Sequence, residues 1–209
     1  MLNVSNLRFL ACFFMVLDHI GILLEIPFLR ILGRISYPLF AYLIVNGFYH
    51  TRNIRKYLFR LLLLALVSEL FFDLYIFDTI NFARQNVLFT FFFSLLAIYS
   101  LHNLKSTKRV ILFIFSALMV FIFACDYGLK GFVMVLCFYY FEKYPFICFL
   151  GLGYMLYLCA GFVGLCGLLS IFFIHLYSPK KKFSRKHKML FYSFYPLQYM
   201  VLYFVEKLL

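Results

Sequence analysis

Charge is scarce in this chain, and acidic charge most of all: Asp and Glu number only 8 against 20 Lys and Arg, and charged residues make up 13% of 209. An ordinary soluble domain is about a quarter charged and about half apolar. Here 66% of residues are hydrophobic and the mean hydropathy is +0.95, more Phe, Leu and Ile than a water-soluble core can hide. A polytopic, all-helical membrane bundle is therefore expected, formed by residues 1–209 as a single domain with the lipid bilayer as its first partner. The N-terminus has no basic segment followed by a small-residue cleavage site, so the first apolar run is expected to stay as a helix. Paired cysteines are also missing. Cys12, Cys125, Cys137, Cys148, Cys159 and Cys166 all fall in apolar segments, with no CxxC and no clustered histidines. They read as small buried hydrophobes, and neither a metal nor a nucleic-acid partner is expected. Tryptophan is absent and Phe abundant, at 31 residues, and neither fact carries a functional reading.

What is present is a series of long apolar runs. A bilayer core of about 30 Å needs about 20 helical residues. Runs near that length cover 7–26, 35–50, 56–77, 86–101, 109–125, 131–141, 144–160, 162–177 and 191–208, giving nine candidate helices within a range of eight to ten. The seventh and eighth are divided only by "AGFVG". The runs are continuously apolar rather than alternating, which favours helices over a β-barrel. Basic residues crowd every second connection: Arg52, Arg55, Lys56 and Arg60; then Lys105, Lys108 and Arg109; then Lys180, Lys181, Lys182, Arg185, Lys186 and Lys188. The positive-inside rule puts these loops, and the N-terminus, on the cytoplasmic side of a cell (inner) membrane.

Against this background a few polar residues stand out. "LRFLACFFMVLDHIG" carries Arg8, Asp18 and His19 inside one spanning-length run. Eleven helical steps from Arg8 to His19 come to about three turns plus 20°, so both side chains lie on one stripe, about 16 Å apart along the axis. On the third run Glu69 lies about 14 Å from Arg60, level with His19, and Asp73 follows one turn later on the same face. Asp126 closes the fifth run, and Arg34 and Ser36 open the second. The outer half thus gathers His19, Asp18, Glu69, Asp73, Asp126, Arg34 and Ser36; the inner face gathers Arg8, Arg52, Arg55, Lys56 and Arg60. Ionisable groups this deep are costly unless paired or facing a cavity. A histidine titrates near neutrality and a neighbouring carboxylate can orient it, which suits a general base. A cluster of arginines suits an anionic, phosphate-bearing ligand, although topology alone also accounts for basic loops.

The same residues carry a family likeness. "LRFLACFFMVLDHIG", "GRISYPLFAYLIVNGFYHTRNIRKYLFRLL", "ALVSELFFD", "NVLFTFFF", "CDYGLKG" and "HKMLFYSFYPLQYMVLY" together resemble the TraX family of integral membrane proteins, associated with N-terminal acetylation of conjugative pilin. The set is also similar to the membrane-bound acyltransferase-3 superfamily, which shares a basic residue separated by ten residues from a first-helix histidine, here Arg8 and His19, and an RxxR motif near its third helix. Two places offer that motif: "RNIR", Arg52 to Arg55, or the stretch ending at Arg60, where Tyr57 stands for the first arginine. The closing motif departs from the TraX pattern, which reads Tyr-Pro-Leu-His, because this chain has Gln198 there.

The resemblance implies an acetyl-CoA-dependent acetyltransferase acting on an amine or hydroxyl: a pilin-like peptide N-terminus or a cell-surface glycan. In that reading His19 is the base, Asp18 or Glu69 its partner, and Arg8, Arg52, Arg55, Lys56 and Arg60 bind the coenzyme A phosphates. Arg34, Ser36, Asp73 and Asp126 contact the acceptor. A small proton-coupled transporter or permease is the alternative, since membrane Asp, Glu and His often form proton relays, although the sequence shows no internal repeat or matched pair of broken helices. In a third reading the polar groups only hold helices together in a non-catalytic interaction protein.

Overall fold

The computed structural model describes residues 2–178 and 186–208, with side chains in the last stretch from Ser193 onward. Lys180, Lys181, Lys182 and Arg185 of the third basic connection lie outside the described residues, as do the side chains of Lys186 and Lys188. Among the described residues the chain is helical, apart from an isolated backbone bridge between Leu2 and Tyr177. The helices are α1 (Val4–Leu23), α2 (Pro27–Gly33), α3 (Ser36–His50), α4 (Ile54–Phe77), α5 (Val87–Asn103), α6 (Ser106–Ile122), α7 (Gly128–Tyr140), α8 (Pro145–Gly164), α9 (Ser170–His175) and α10 (Lys186–Leu208), with a 3₁₀ turn at Leu165–Leu169 joining α8 to α9.

Local chemistry sets the boundaries. Asn3, Asn53 and Asn86 cap α1, α4 and α5, each accepting a backbone N–H of the first turn at 2.8–3.0 Å. Pro27 and Pro145 open α2 and α8, where a missing N–H costs nothing. The first run ends at Leu23, three residues before its expected limit, because the chain turns through Glu25 at positive φ into a short helix, α2, within the stretch expected to be a connection. At "AGFVG" the structure breaks the helix through Gly161, at φ +60 and ψ −143, a conformation favourable only to glycine. The two runs expected either side of this stretch therefore meet at a bend, the second continuing as the 3₁₀ turn and α9.

Three helical stretches are long and apolar enough to cross a membrane by length and composition: Val4–Leu23, Pro27–His50 and Pro145–His175; α5 and α7 are shorter apolar helices. Contacts sort the helix termini into two ends of the bundle. At one end Leu2 hydrogen-bonds the backbone of Leu176 and Ser178, and Tyr49 reaches the Tyr139 carbonyl at 3.3 Å. At the other lie the Arg34–Asp18, Arg84–Asp126 and Lys207–Asp78 ion pairs, and Lys130 donates to the Leu158 carbonyl freed by the break in α8. Helix α5 is the hub: Leu95, Ala97 and Ile98 are fully buried, as are Thr90, Ser94 and Ser100, whose hydroxyls bond backbone carbonyls. In contrast, α6 and α8 turn Ile111, Phe115, Phe121, Phe146, Ile147 and Tyr154 outward. An apolar surface of this extent suits lipid, and the chain is a membrane protein.

The Lys207–Asp78 pair (2.8 Å) ties the end of α10 to the end of α4. The Lys207 ammonium holds the Asp78 carboxyl below its ordinary range. The contribution to stability is thus present above the ordinary carboxylate pKa and is lost as pH falls through the lower, folded-state value. Asp78 is fully exposed and solvent screens the pair, so Asp78→Asn is expected to lower the melting temperature in detergent only slightly, with the difference vanishing in high salt or at acid pH.

Candidate active site

Ionisable side chains that were too deep for a soluble helix surface converge on one cavity of about 1020 Å³. Its wall includes Arg8 and His19, the stripe of α1 expected from helical spacing, and with them Cys12, Met15 and Asp18. From α3 and α4 it takes His50, Thr51, Tyr57 and Arg60 at the end marked by the basic loops, and at the other end it reaches Arg34, Ser36, Arg84, Asp126 and Lys130. The cavity therefore runs between the two ends of the bundle and passes His19.

The imidazole is clamped on one side. Nδ1 lies 2.9 Å from the Met15 carbonyl, one turn back on α1, and 2.8 Å from the side-chain amide of Gln198 on α10. Tyr199 packs edge-on to the ring at 5.1 Å and Tyr75 at 6.5 Å. The partner expected from sequence, Asp18, instead faces Arg34 at 3.4 Å, with both side chains largely buried. It can do so because Gly33 lets α2 pack against the backbone of α1 at Asp18. Asp126 pairs with Arg84 and also accepts the Tyr127 N–H at 3.0 Å.

Two of the expected carboxylates turn away from the cavity wall. Glu69 accepts the Asn86 backbone N–H at 3.0 Å and the Asn86 side-chain amide, whose nitrogen also bonds the Ala65 carbonyl at 2.9 Å, so it fastens the start of α5 to α4. Asp73 accepts the Asn81 N–H at 3.0 Å and holds the α4–α5 connection. Their helical phase on α4 was read correctly, but that face meets α5 and its leading loop rather than His19. The basic set also divides. Arg8 and Arg60 line the cavity, Arg52 and Lys56 line an adjoining groove of about 530 Å³ that shares Thr51 and Arg60 with it, and Arg55 lines neither. Of the two places for an RxxR-like motif, it is Tyr57 and Arg60 that face the cavity.

Sequence reading missed the tyrosines. Tyr37 stacks on Tyr127 at 3.9 Å and 17°, and Tyr195 donates to Tyr199 at 3.4 Å. With 17 tyrosines in the chain, nothing in the pattern marked these. Two buried polar atoms on the cavity wall have no hydrogen-bond partner among the described residues: Tyr37 Oη and Arg34 Nε. Such orphans are rare in native interiors and call for water or a ligand.

These features define a class: a helical integral membrane protein with ionisable residues gathered around an internal cavity rather than scattered between helices. The chain belongs to the TraX family, whose profile, described as TraX protein, matches residues 3–206. A relative from Dichelobacter nodosus, described as "Probable fimbrial assembly protein FimC, serogroup H1", is 33% identical over 157 residues. The match covers 68% of this chain and 64% of that relative, just under two thirds of its length. No solved structure matches the chain.

Proposed function

We propose that this TraX-family chain is a membrane acetyltransferase, crossing the inner membrane nine times with its N-terminus in the cytoplasm. It takes acetyl groups from cytoplasmic acetyl-CoA and passes them to an amine or hydroxyl, a pilin-like peptide N-terminus or a glycan. The observation that carries this reading is the single cavity that His19 shares with Arg8 and Arg60. Family membership and the fimbrial relative favour a pilin-like acceptor, and the Arg8–His19 spacing favours kinship with the acyltransferase-3 superfamily.

In this mechanism Arg8 and Arg60, with Arg52 and Lys56 in the adjoining groove, hold the coenzyme phosphates through charge-assisted hydrogen bonds. The thioester extends along the cavity toward His19. The acceptor enters from the opposite end, where Arg34, Tyr37, Ser36 and Asp18 offer both donors and acceptors. His19 removes the proton from the acceptor nitrogen or oxygen as it attacks the thioester carbonyl; the new amide or ester bond forms, the carbon–sulfur bond breaks, and the thiolate leaves with coenzyme A.

Purified protein with labelled acetyl-CoA should transfer acetyl to added acceptor, and Arg60→Ala should raise the KM for acetyl-CoA by about 10- to 100-fold, the loss expected for one hydrogen bond to a charged group. An unchanged KM removes Arg60 from the coenzyme site. The cavity's reach to both ends also favours a second reading, a proton-coupled permease. Coenzyme A decides between them: it should raise the melting temperature of an acetyltransferase and leave a permease unmoved.

A further inference from the structure

Around His19 one contact has no place in the mechanism above: the side chain of Gln198, which approaches Nδ1 from behind, off the cavity wall. Gln198 is 9% exposed and sits on α10 between Tyr195 and Tyr199, both buried. Its amide, with Nε2 as the nearer atom, lies 2.8 Å from His19 Nδ1, and Nδ1 is also 2.9 Å from the Met15 carbonyl. A carbonyl oxygen only accepts, so an unprotonated Nδ1 would set its lone pair against that of Met15. Nδ1 therefore carries the proton, and the amide of Gln198, whose oxygen and nitrogen exchange places by a half-turn, presents its oxygen to it. The other ring nitrogen, Nε2, is left unprotonated on the cavity side.

We propose that Gln198 is the positioning residue of His19: from α10 it adds a second acceptor at Nδ1 and, with the Met15 carbonyl that fixes the proton there, holds the imidazole in the orientation that leaves Nε2 basic and aimed into the cavity. The proposal rests on the reading of His19 as the base, but it names a residue that touches neither acetyl donor nor acceptor. The role could not pass to Asp18 or Glu69, because those carboxylates are engaged by Arg34 and Asn86. A neutral amide also anchors the imidazole without adding charge to a ring that already feels Asp18 from its own helix, Arg34, Asp126 from the α6–α7 turn, and the phenols of Tyr75 on α4 and Tyr199 on α10.

The test uses the full chain in detergent or nanodiscs, with two variants and two readouts. The first readout is the pH profile of acetyl transfer. The second, independent of catalysis, is the rate at which diethyl pyrocarbonate modifies His19, mapped by mass spectrometry. Gln198→Leu removes the second acceptor at Nδ1 and leaves only the Met15 carbonyl, so the ring loses its anchor on α10 and Nε2 is no longer held toward the cavity. The expected result is a fall of about 10- to 100-fold in kcat with KM for acetyl-CoA unchanged, and a parallel slowing of His19 modification. Gln198→Glu restores an acceptor oxygen and brings a carboxylate that favours the protonated ring. It should recover most of the rate, with the rise of both profiles displaced to higher pH. If Gln198→Leu transfers acetyl and reacts with the reagent as the parent does, the proposal is overturned. Should the leucine variant fail to fold, Gln198→Glu profiles superimposable on the parent's overturn it equally. Failure of the acetyltransferase reading looks different: the parent itself transfers nothing, while modification of His19 still depends on residue 198.

Discussion

His19→Ala is expected to lower acetyl transfer by about 10²- to 10⁴-fold, the range a positioned general base supplies, while coenzyme A binding stays within a factor of about two. The reason is geometric. His19 brings a titratable nitrogen to the cavity wall between its two ends, with its far side fixed by the Met15 carbonyl and Gln198. Alanine also removes the edge-on packing with Tyr199, worth about 0.5–1.5 kcal/mol, so some loss of stability accompanies it. His19→Gln separates the two effects, since an amide there can still donate to Met15 but has no basic lone pair. Matching losses of transfer in both variants, with normal melting in the glutamine one, are the outcome that fits a base. Full activity in either variant ends the assignment.

Gly33→Ala should be the most damaging single methyl in the site. A Cβ at residue 33 would stand 2.3 Å from Asp18 Cβ and 2.6 Å from Asp18 Cα. The obstacle is backbone as well as side chain, so no rotamer change relieves it and α2 must move away from α1. Overpacking of this kind costs about 1–3 kcal/mol, and here the upper end applies, or about 5–10 °C in melting temperature for a chain of this size. The Arg34–Asp18 pair sits directly on the displaced contact, and His19 is the next residue, so acetyl transfer should fall with stability. Melting and activity measured side by side check this, and a parent-like melting curve would show that α1 and α2 are less tightly apposed than the structure has them.

How far the sequence carried differs between the two kinds of helix face involved. On α1 the Arg8–His19 stripe was legible because both residues belong to one helix, and 3.6-residue periodicity fixes their relative direction whatever packs around them. That Glu69 and Asp73 share one face of α4 was legible for the same reason. Which neighbour that face of α4 meets was not: it depends on how α5 and its Asn86 cap dock, and this makes both carboxylates fastenings of the α4–α5 junction rather than partners of the histidine. The short helix α2 falls in what hydropathy leaves as the connection between the first two runs, because seven residues are too few to register as an apolar run; the Glu25 turn and Pro27 that define it are conformational features.

Composition and run length were enough to determine a helical membrane protein, because the cost of exposing charge or unpaired backbone to lipid leaves few alternatives, and the motif stretches carried the likeness to the TraX family. The pairing of Asp18 with Arg34, the withdrawal of Arg55 from the cavity and the meeting of Gln198 with His19 across 179 residues of chain were decided by the tertiary structure alone. Periodicity orients a side chain about its own helix axis, but only the packing of whole helices determines what it faces.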